Sequence, residues 1–449
     1  MEGLNRLEQL KLKPSQVLVL GFGILIFIGA TLLNLPIACK DGMSIGFINA
    51  LFTSASAVCV TGLVVVNTME HWTLFGQIII LLLIQIGGLG FMTMATLVSL
   101  LLGRKITLKD RLIMQEERNS FSLQGLVKLT QYVIKSTLLV EFVGVVLLAT
   151  AFVPDFGLPK GLWFSLFHSI SAFCNAGFDL IGNSFVDYVG HPVVMLTLSA
   201  LIIIGGLGYF VYIDITKNRL EWRKYNLHTK MVLTISAFLL LVGFLLVFII
   251  EFSNPDTFGN LNFIEKFFAA IFQGVVPRTA GFNSIDMALV RPATAFVIML
   301  LMFVGGSPGS TAGGVKTTTV GAIVVAIWAV IKGNKDVEVY NRQIPLSQVF
   351  RALAVTGIAF TLVIIVTIVL SITEQGTFLD ILFESVSAFG TVGLSRGLTP
   401  SLTAVGRLII TATMFIGRLG PLTMAFAFAR KGKENRGNYH YAEEKIIVG

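Results

Sequence analysis

Four short stretches of the chain carry residue types suited to one kind of chemistry. They read Val60-Thr61-Gly62-Leu63, Asn175-Ala176-Gly177-Phe178, Thr279-Ala280-Gly281-Phe282 and Thr391-Val392-Gly393-Leu394. Acids are absent from all four, so the oxygen atoms they offer are almost entirely backbone carbonyls. Carbonyls from four converging loops can replace the hydration shell of a monovalent cation, and glycine lets a carbonyl turn inward from backbone angles that other residues resist. An anion path would call for converging rings of Arg or Lys, and a calcium path for rings of acid. Neither ring is present. The side chains of Thr61 and Asn175 have two open roles, touching an ion or bracing the loop.

These stretches sit inside a longer repeat, which appears as FTSASAVCVTGLVV from Phe52, FHSISAFCNAGFDL from Phe167, FQGVVPRTAGFNSI from Phe272 and FESVSAFGTVGLSR from Phe383. The aligned glycines Gly62, Gly177, Gly281 and Gly393 are 115, 104 and 112 residues apart. A second motif follows each of them by 25, 28, 24 and 24 residues: IGGLGF with Gly87, IGGLGY with Gly205, VGGSPG with Gly305 and IGRLGP with Gly417. A single such glycine is equally explained as a small residue that lets helices pack closely. Four copies at a near-constant period are the signature of a repeat array.

The elements that must position these loops follow from hydropathy. The chain has 449 residues, 55% of them hydrophobic and 13% charged, a composition foreign to soluble domains. Apolar runs at Val17–Leu33, Ile78–Leu102, Thr137–Val153, Val193–Ile213, Met231–Ile250 and Ala352–Leu370 reach or approach the roughly 20 residues a helix needs to cross a bilayer. Just before each loop glycine lies a segment too short to cross: Gly46–Ala57, Gly161–Phe173, Asn262–Val275 and Leu379–Phe389. Each unit therefore reads as outer helix, re-entrant pore helix with its loop, and inner helix. The predicted fold is an all-α membrane protein of four tandem helix–pore loop–helix repeats, with eight transmembrane helices and four re-entrant loops about one pseudo-fourfold pore. The units are placed at 1–110, 111–224, 225–340 and 341–429, with a tail at 430–449.

Charge supports this layout. Net charge is +8, but the basic residues do not form one patch of the kind that binds nucleic acid. They fall in blocks at Arg6, Lys11 and Lys13, at Arg104–Lys135, Lys217–Lys230 and Lys332–Arg351, and at Arg430–Lys445. By the positive-inside rule these blocks are cytoplasmic, which puts both termini inside a plasma membrane and every pore loop outside. No small-residue cleavage site follows a short apolar core, so no signal peptide is expected. Cys39, Cys59 and Cys174 lack metal-ligand spacing, and a disulfide among them is not expected.

In repeats one, two and four the inner helix is expected to run on through its glycine motif. The third reads VGGSPGSTAGGVKTTT from Val304 to Thr319. There Pro308 removes a backbone donor, and Gly305, Gly306, Gly309, Gly313 and Gly314 each disfavour helix, so an irregular intramembrane segment is expected at 304–319. Unwound backbone at bilayer depth must face protein or a watery cavity. Together with Ser307, Ser310, Thr311 and Ala312, these residues form a candidate gate. Lys316 either places a positive charge near the path or snorkels to the cytoplasmic surface. Arg418 replaces the second glycine of the motif, where the other units have Gly88, Gly206 and Gly306. A charge at that depth is costly, so its expected use is to donate to carbonyls of the broken segment. Arg278 lies inside the third loop and is expected to point behind it, braced by Glu265 and Glu384.

The four loops, the glycine in each and the fourfold plan resemble the Trk/Ktr/HKT superfamily of cation transporters, in particular the Ktr-type membrane subunit. The resemblance covers nearly the whole chain. It implies potassium uptake, a gating loop at the broken helix, regulation by a separate cytosolic nucleotide-binding ring, and homodimers in the membrane. Sodium dependence occurs in some relatives, and those with serine at the first pore glycine tend toward sodium; this chain has Gly62. The residues themselves offer no phosphate-binding loop, metal-ligand His pair or Ser/His/Asp grouping, so neither a bound nucleotide nor an enzyme is expected. A sodium-preferring transporter of the same plan is the nearest alternative. An organic-solute transporter would call for inverted pairing of units, which is absent.

Overall fold

The computed structural model describes residues 13–101, 108–118, 126–219, 221–428 and 444. The basic positions Arg6, Lys11, Arg104, Lys105 and those of the tail from Arg430 to Lys445 lie outside the described residues.

Among the described residues, four long helices are apolar enough to cross a membrane: α1 (Pro14–Leu33), α6 (Leu126–Phe156), α10 (Leu227–Glu251) and α14 (Leu346–Thr373). Pro14 opens the first of them, where its missing N–H costs nothing because the first-turn donors have no intrahelical partner. Their outward faces are apolar, with Phe27, Phe142, Phe238 and Phe360 each at least 60% exposed. In water that would be a liability, whereas lipid is as apolar as these side chains.

After each long helix comes a half-length one: α2 (Phe47–Val58), α7 (Leu158–Phe173), α11 (Phe263–Val275) and α15 (Phe378–Gly390). Their C-terminal halves are enclosed by the rest of the fold. Phe52, Phe167, Phe272 and Phe383, at the same position of each repeat, are all fully buried. Each half-length helix leads through a glycine loop into an inner helix: α3 (Leu74–Leu89), α8 (Pro192–Leu207), α12 (Pro292–Phe303) and α16 (Ala404–Leu419).

The inner helices depart from expectation. Those of repeats one, two and four do not run on through the glycine motif. They break at Gly90, Gly208 and Gly420 and continue as α4 (Phe91–Leu101), α9 (Tyr209–Asn218) and α17 (Pro421–Phe428), bent by 98°, 93° and 95°. The cause is the last glycine of each motif, whose φ is +91°, +91° and +87° at the three positions, a positive-φ conformation incompatible with helix. In place of eight plain crossings, the described residues form four long helices, three bent pairs, and the pair α12 and α13 (Thr317–Ile331) on either side of an irregular segment. That segment is shorter than expected, because Thr317, Thr318 and Thr319 already belong to α13.

One small departure from all-α structure occurs between α13 and α14, where Glu338–Val339 pairs antiparallel with Arg342–Gln343. It rests on a separate apolar cluster of Met231, Ala329, Val337, Ile344 and Val349. The basic block Lys332–Arg351 is thus partly folded.

Candidate functional site

The half-length helices deliver four loops of matching backbone shape to one place. Val60, Asn175, Thr279 and Thr391 have φ of 50°, 59°, 70° and 50°, and the glycines two residues later have 92°, 72°, 73° and 92°. Left-handed backbone at a non-glycine residue costs on the order of 1–3 kcal/mol and persists only where its surroundings enforce it. Here it occurs at the same position of all four loops. The residues between, Thr61, Ala176, Ala280 and Val392, have negative φ. Such alternation turns successive carbonyls toward the same side of the chain.

The glycines close into a ring. A Cβ placed on Gly62 would lie 3.0 Å from Gly177 Cα, one on Gly177 2.9 Å from Gly281 Cα, one on Gly281 3.3 Å from Gly393 Cα, and one on Gly393 3.0 Å from Gly62 Cα. Each would also meet the carbonyl oxygen of the neighbouring loop, from Ala176, Ala280, Val392 and Thr61 in turn. The glycines therefore serve two ends, left-handed backbone and room for the next loop.

The triads 60–62, 175–177, 279–281 and 391–393 are buried, yet among the described residues no hydrogen bond is made to any of their carbonyl oxygens. Buried carbonyls are nearly always paired. A closed ring of unpaired carbonyls is what a dehydrated monovalent cation requires. The loop N–H groups, by contrast, are satisfied from behind. Thr61, Ala176 and Val392 donate to the Ser56, Ser171 and Ser387 carbonyls at 2.8, 2.8 and 2.9 Å. Gly62 and Gly393 donate to the hydroxyls of Ser56 and Ser387, both at 3.1 Å. The Ser171 hydroxyl donates to the Phe178 carbonyl at 2.8 Å.

Beside the ring, the irregular segment of the third repeat is tied into its surroundings by main-chain bonds. Ser307 and Thr311 donate to the Gly206 and Gly205 carbonyls at 3.0 and 3.2 Å, and Tyr209 donates to the Gly309 carbonyl at 3.0 Å. The broken end of α8 thus finds its partners in the broken third helix. The segment reaches the loops as well, since a Cβ on Gly313 would collide with the side chain of Thr391. Arg418 donates through Nη1 to the Thr311 carbonyl, and through Nη2 to the Gly87 carbonyl and, at 3.1 Å, to that of Gly88. Lys316 is half-buried and donates to the Ala312 carbonyl at 2.6 Å.

A family profile described as "TrkH: Cation transport protein" matches residues 11–436. The chain belongs to the TrkH family of cation transport proteins. It is 44% identical over 99% of its length to the Ktr system potassium uptake protein B of Bacillus subtilis, 98% of which is covered. It is 43% identical over 98% of its length to the potassium/sodium uptake protein NtpJ of Enterococcus hirae, again with 98% covered. Among solved structures, the potassium transporter TrkH of Vibrio parahaemolyticus aligns with a TM-score of 0.73 over 92% of this chain and 84% of that one. At 17% identity that likeness is one of fold. As a TrkH-family member the chain is a membrane transporter and not an enzyme.

Two expectations for this TrkH-family chain are overturned. Arg278 is buried, but its partner is the Ser236 hydroxyl of the long helix α10, at 3.1 Å, and neither Glu265 nor Glu384. Glu265 instead caps its own helix, accepting from the Asn262 N–H at 2.9 Å. Glu384 accepts from Ser395 at 2.8 Å and from Thr399, so it holds the limb that follows its own loop. Helix position explains both: Glu265 sits in the first turn of α11, whereas Arg278 lies beyond its last, and Glu384 belongs to another repeat. The Asn175 amide is flanked by carbonyls and, oriented to suit them, its nitrogen donates to Ala172 and Ile202 at 3.0 and 3.3 Å, the bracing alternative. Thr61 Oγ1 is buried with no hydrogen-bond partner among the described residues.

The bending glycines Gly90, Gly208 and Gly420 are not among the residues singled out from the sequence, although each stands three residues after the first glycine of its motif. Ser56, Ser171 and Ser387 were equally visible, at the same offset in three of the four repeats.

Proposed function

We propose that this protein takes up potassium through a selectivity filter formed by the carbonyls of residues 60–63, 175–178, 279–282 and 391–394. The observation that carries this reading is the closed ring of Gly62, Gly177, Gly281 and Gly393 with the buried, unpaired carbonyls of residues 60–62, 175–177, 279–281 and 391–393. The names of the B. subtilis and E. hirae relatives, both potassium uptake proteins, agree with it. No nucleotide chemistry by the chain is required. Membrane potential contributes about 2.3 kcal/mol per elementary charge per 100 mV to an inward-moving cation.

The segment from Gly305 to Lys316 acts as the gate, with Arg418 holding it closed from the fourth repeat. The four units, each crossing out and back, place the loops outside and the basic linkers inside a plasma membrane. The B. subtilis relative is named as protein B of a Ktr system, which fits a regulatory subunit at the cytoplasmic face. A membrane homodimer completes the reading.

A second reading has a specific observation in its favour: the E. hirae relative is named for sodium as well as potassium, so sodium passage by the same architecture is retained as an alternative. Expression in a strain deficient in potassium uptake, with and without a candidate regulatory subunit, tests the main proposal. Growth on limiting potassium supports it. Failure to restore growth, combined with sodium flux and no rubidium flux in reconstituted vesicles, would replace it with the alternative.

A further inference from the structure

One position of the half-length helices recurs behind the loops. It follows the buried phenylalanine of each repeat and is occupied by Thr53, His168, Gln273 and Glu384. In three repeats this side chain reaches across to the limb that leaves the glycine ring. Glu384 does so through Ser395 and Thr399. His168 accepts from the Leu180 N–H at 3.0 Å, three residues beyond Gly177. Gln273 donates to the Ser284 hydroxyl at 3.3 Å, three residues beyond Gly281. The Thr53 hydroxyl turns back to the Asn49 carbonyl on its own helix, at 3.0 Å.

The imidazole has no freedom in this arrangement. Because Nε2 accepts from an N–H, it carries no proton, and Nδ1 must hold the hydrogen that is given to the Phe164 carbonyl at 2.8 Å. The ring is fully buried among Phe152, Phe164, Phe167 and Phe185, with centroids 5.1 to 6.0 Å away. Both ring nitrogens are thus committed in the neutral state, and the rotamer is fixed by packing. Gln273 and Ser284 are likewise buried, at 0% and 1% exposure. The limbs they hold are joined to each other as well. Phe185 donates to the Asn283 carbonyl at 2.9 Å, and Asn283 donates to the Ser184 hydroxyl at 2.8 Å.

A filter that discriminates by cavity size needs carbonyls that resist collapsing onto the smaller ion, and that resistance comes from what is bonded behind the loops. We propose that His168 and Gln273 are specificity-determining positioning residues, struts that fix the spacing of the second and third loops without touching the ion. The inference rests on the filter reading above. Repeat one, whose threonine makes no such link, is the compliant side of the ring.

The test is rubidium uptake against competing sodium in vesicles containing the purified full chain. His168→Leu and Gln273→Leu should lower the rubidium-to-sodium preference by about tenfold or more while flux persists. His168→Gln, which can accept from Leu180 and donate to Phe164, should restore most of it. Thr53→Ala should leave the preference at the wild-type value. Ser284→Ala removes the Gln273 link from the other side and should match Gln273→Leu, which keeps the test decisive if a leucine variant does not fold. Unchanged preference in Ser284→Ala and His168→Leu, with preference lost in Gly281→Ala, overturns the struts and leaves the filter standing. Unchanged preference in Gly281→Ala as well overturns both.

Discussion

Arg418, on the last turn of the fourth inner helix, donates to the carbonyl of Thr311 in the broken segment of the third. The same guanidinium reaches Gly87 and Gly88 at the break of the first inner helix. One side chain therefore ties three repeats together beside the glycine ring, through hydrogen bonds to a charged donor that are worth about 1.5–3 kcal/mol each. If the tied arrangement is the closed gate, Arg418→Ala should raise rubidium flux by about tenfold or more and leave the rubidium-to-sodium preference unchanged. Arg418→Lys, a point charge without the fork, should fall between. Equal flux in a well-folded alanine variant would rule out the tie as a gate.

The three bending glycines should not be equivalent. A Cβ on Gly208 would lie 2.6 Å from the Pro308 carbonyl oxygen, whereas one on Gly420 would meet nothing within 4 Å. Alanine at either site must adopt a sparsely populated positive-φ backbone, at a cost on the order of 1–3 kcal/mol. Gly208→Ala adds a collision with the backbone of the broken segment, worth about 1–3 kcal/mol more. Thermal unfolding in detergent should therefore show a distinctly lower midpoint for Gly208→Ala than for Gly420→Ala. A common midpoint would mean that the broken segment yields freely at Pro308.

How far the sequence led can be judged from these same positions. The half-length helices, the loop glycines and the broken third helix were legible because each is written in residue types with strong local consequences: apolar length, φ-permissive glycine and a helix-breaking proline. Arg418 was legible as an anomaly in an otherwise repeated motif. The partner of Arg278 was not, since Ser236 lies 42 residues away on another helix, and nothing local marks a serine as a guanidinium acceptor. The bends were missed because a glycine inside an apolar run is also compatible with a continuous helix, and only its positive φ separates the two cases.

For Arg278 the revised geometry gives a sharper expectation. With its guanidinium on the Ser236 hydroxyl and no ion-pair partner among the described residues, Arg278→Gln should be mimicked by Ser236→Ala in lowering thermal stability, by about 1–3 kcal/mol. Glu384→Gln should not share that effect with Arg278, so the Arg278→Gln and Glu384→Gln losses should add. A double-mutant cycle on unfolding midpoints checks this, and a coupling well above about 0.5 kcal/mol would restore the ion pair.

Glu374 offers a contrast between stability and selectivity. At the end of α14 its carboxylate accepts from the Thr403 N–H at 2.7 Å and the Thr403 hydroxyl at 2.6 Å, fixing the start of α16. The third repeat uses the same device, with Glu251 accepting from the Arg291 N–H at 3.0 Å and from Thr294 at the start of α12. These anchors act where an inner helix begins and make no hydrogen bond to the loop triads. Glu374→Ala removes two hydrogen bonds to a charged acceptor from the exposed Thr403, a cost of about 0.5–1.5 kcal/mol. Unfolding should therefore move to lower temperature while the rubidium-to-sodium preference of the surviving protein stays at the wild-type value. Loss of preference in Glu374→Ala at temperatures where it remains folded would show that the inner-helix anchors, as well as the half-length helices, set the spacing of the ring.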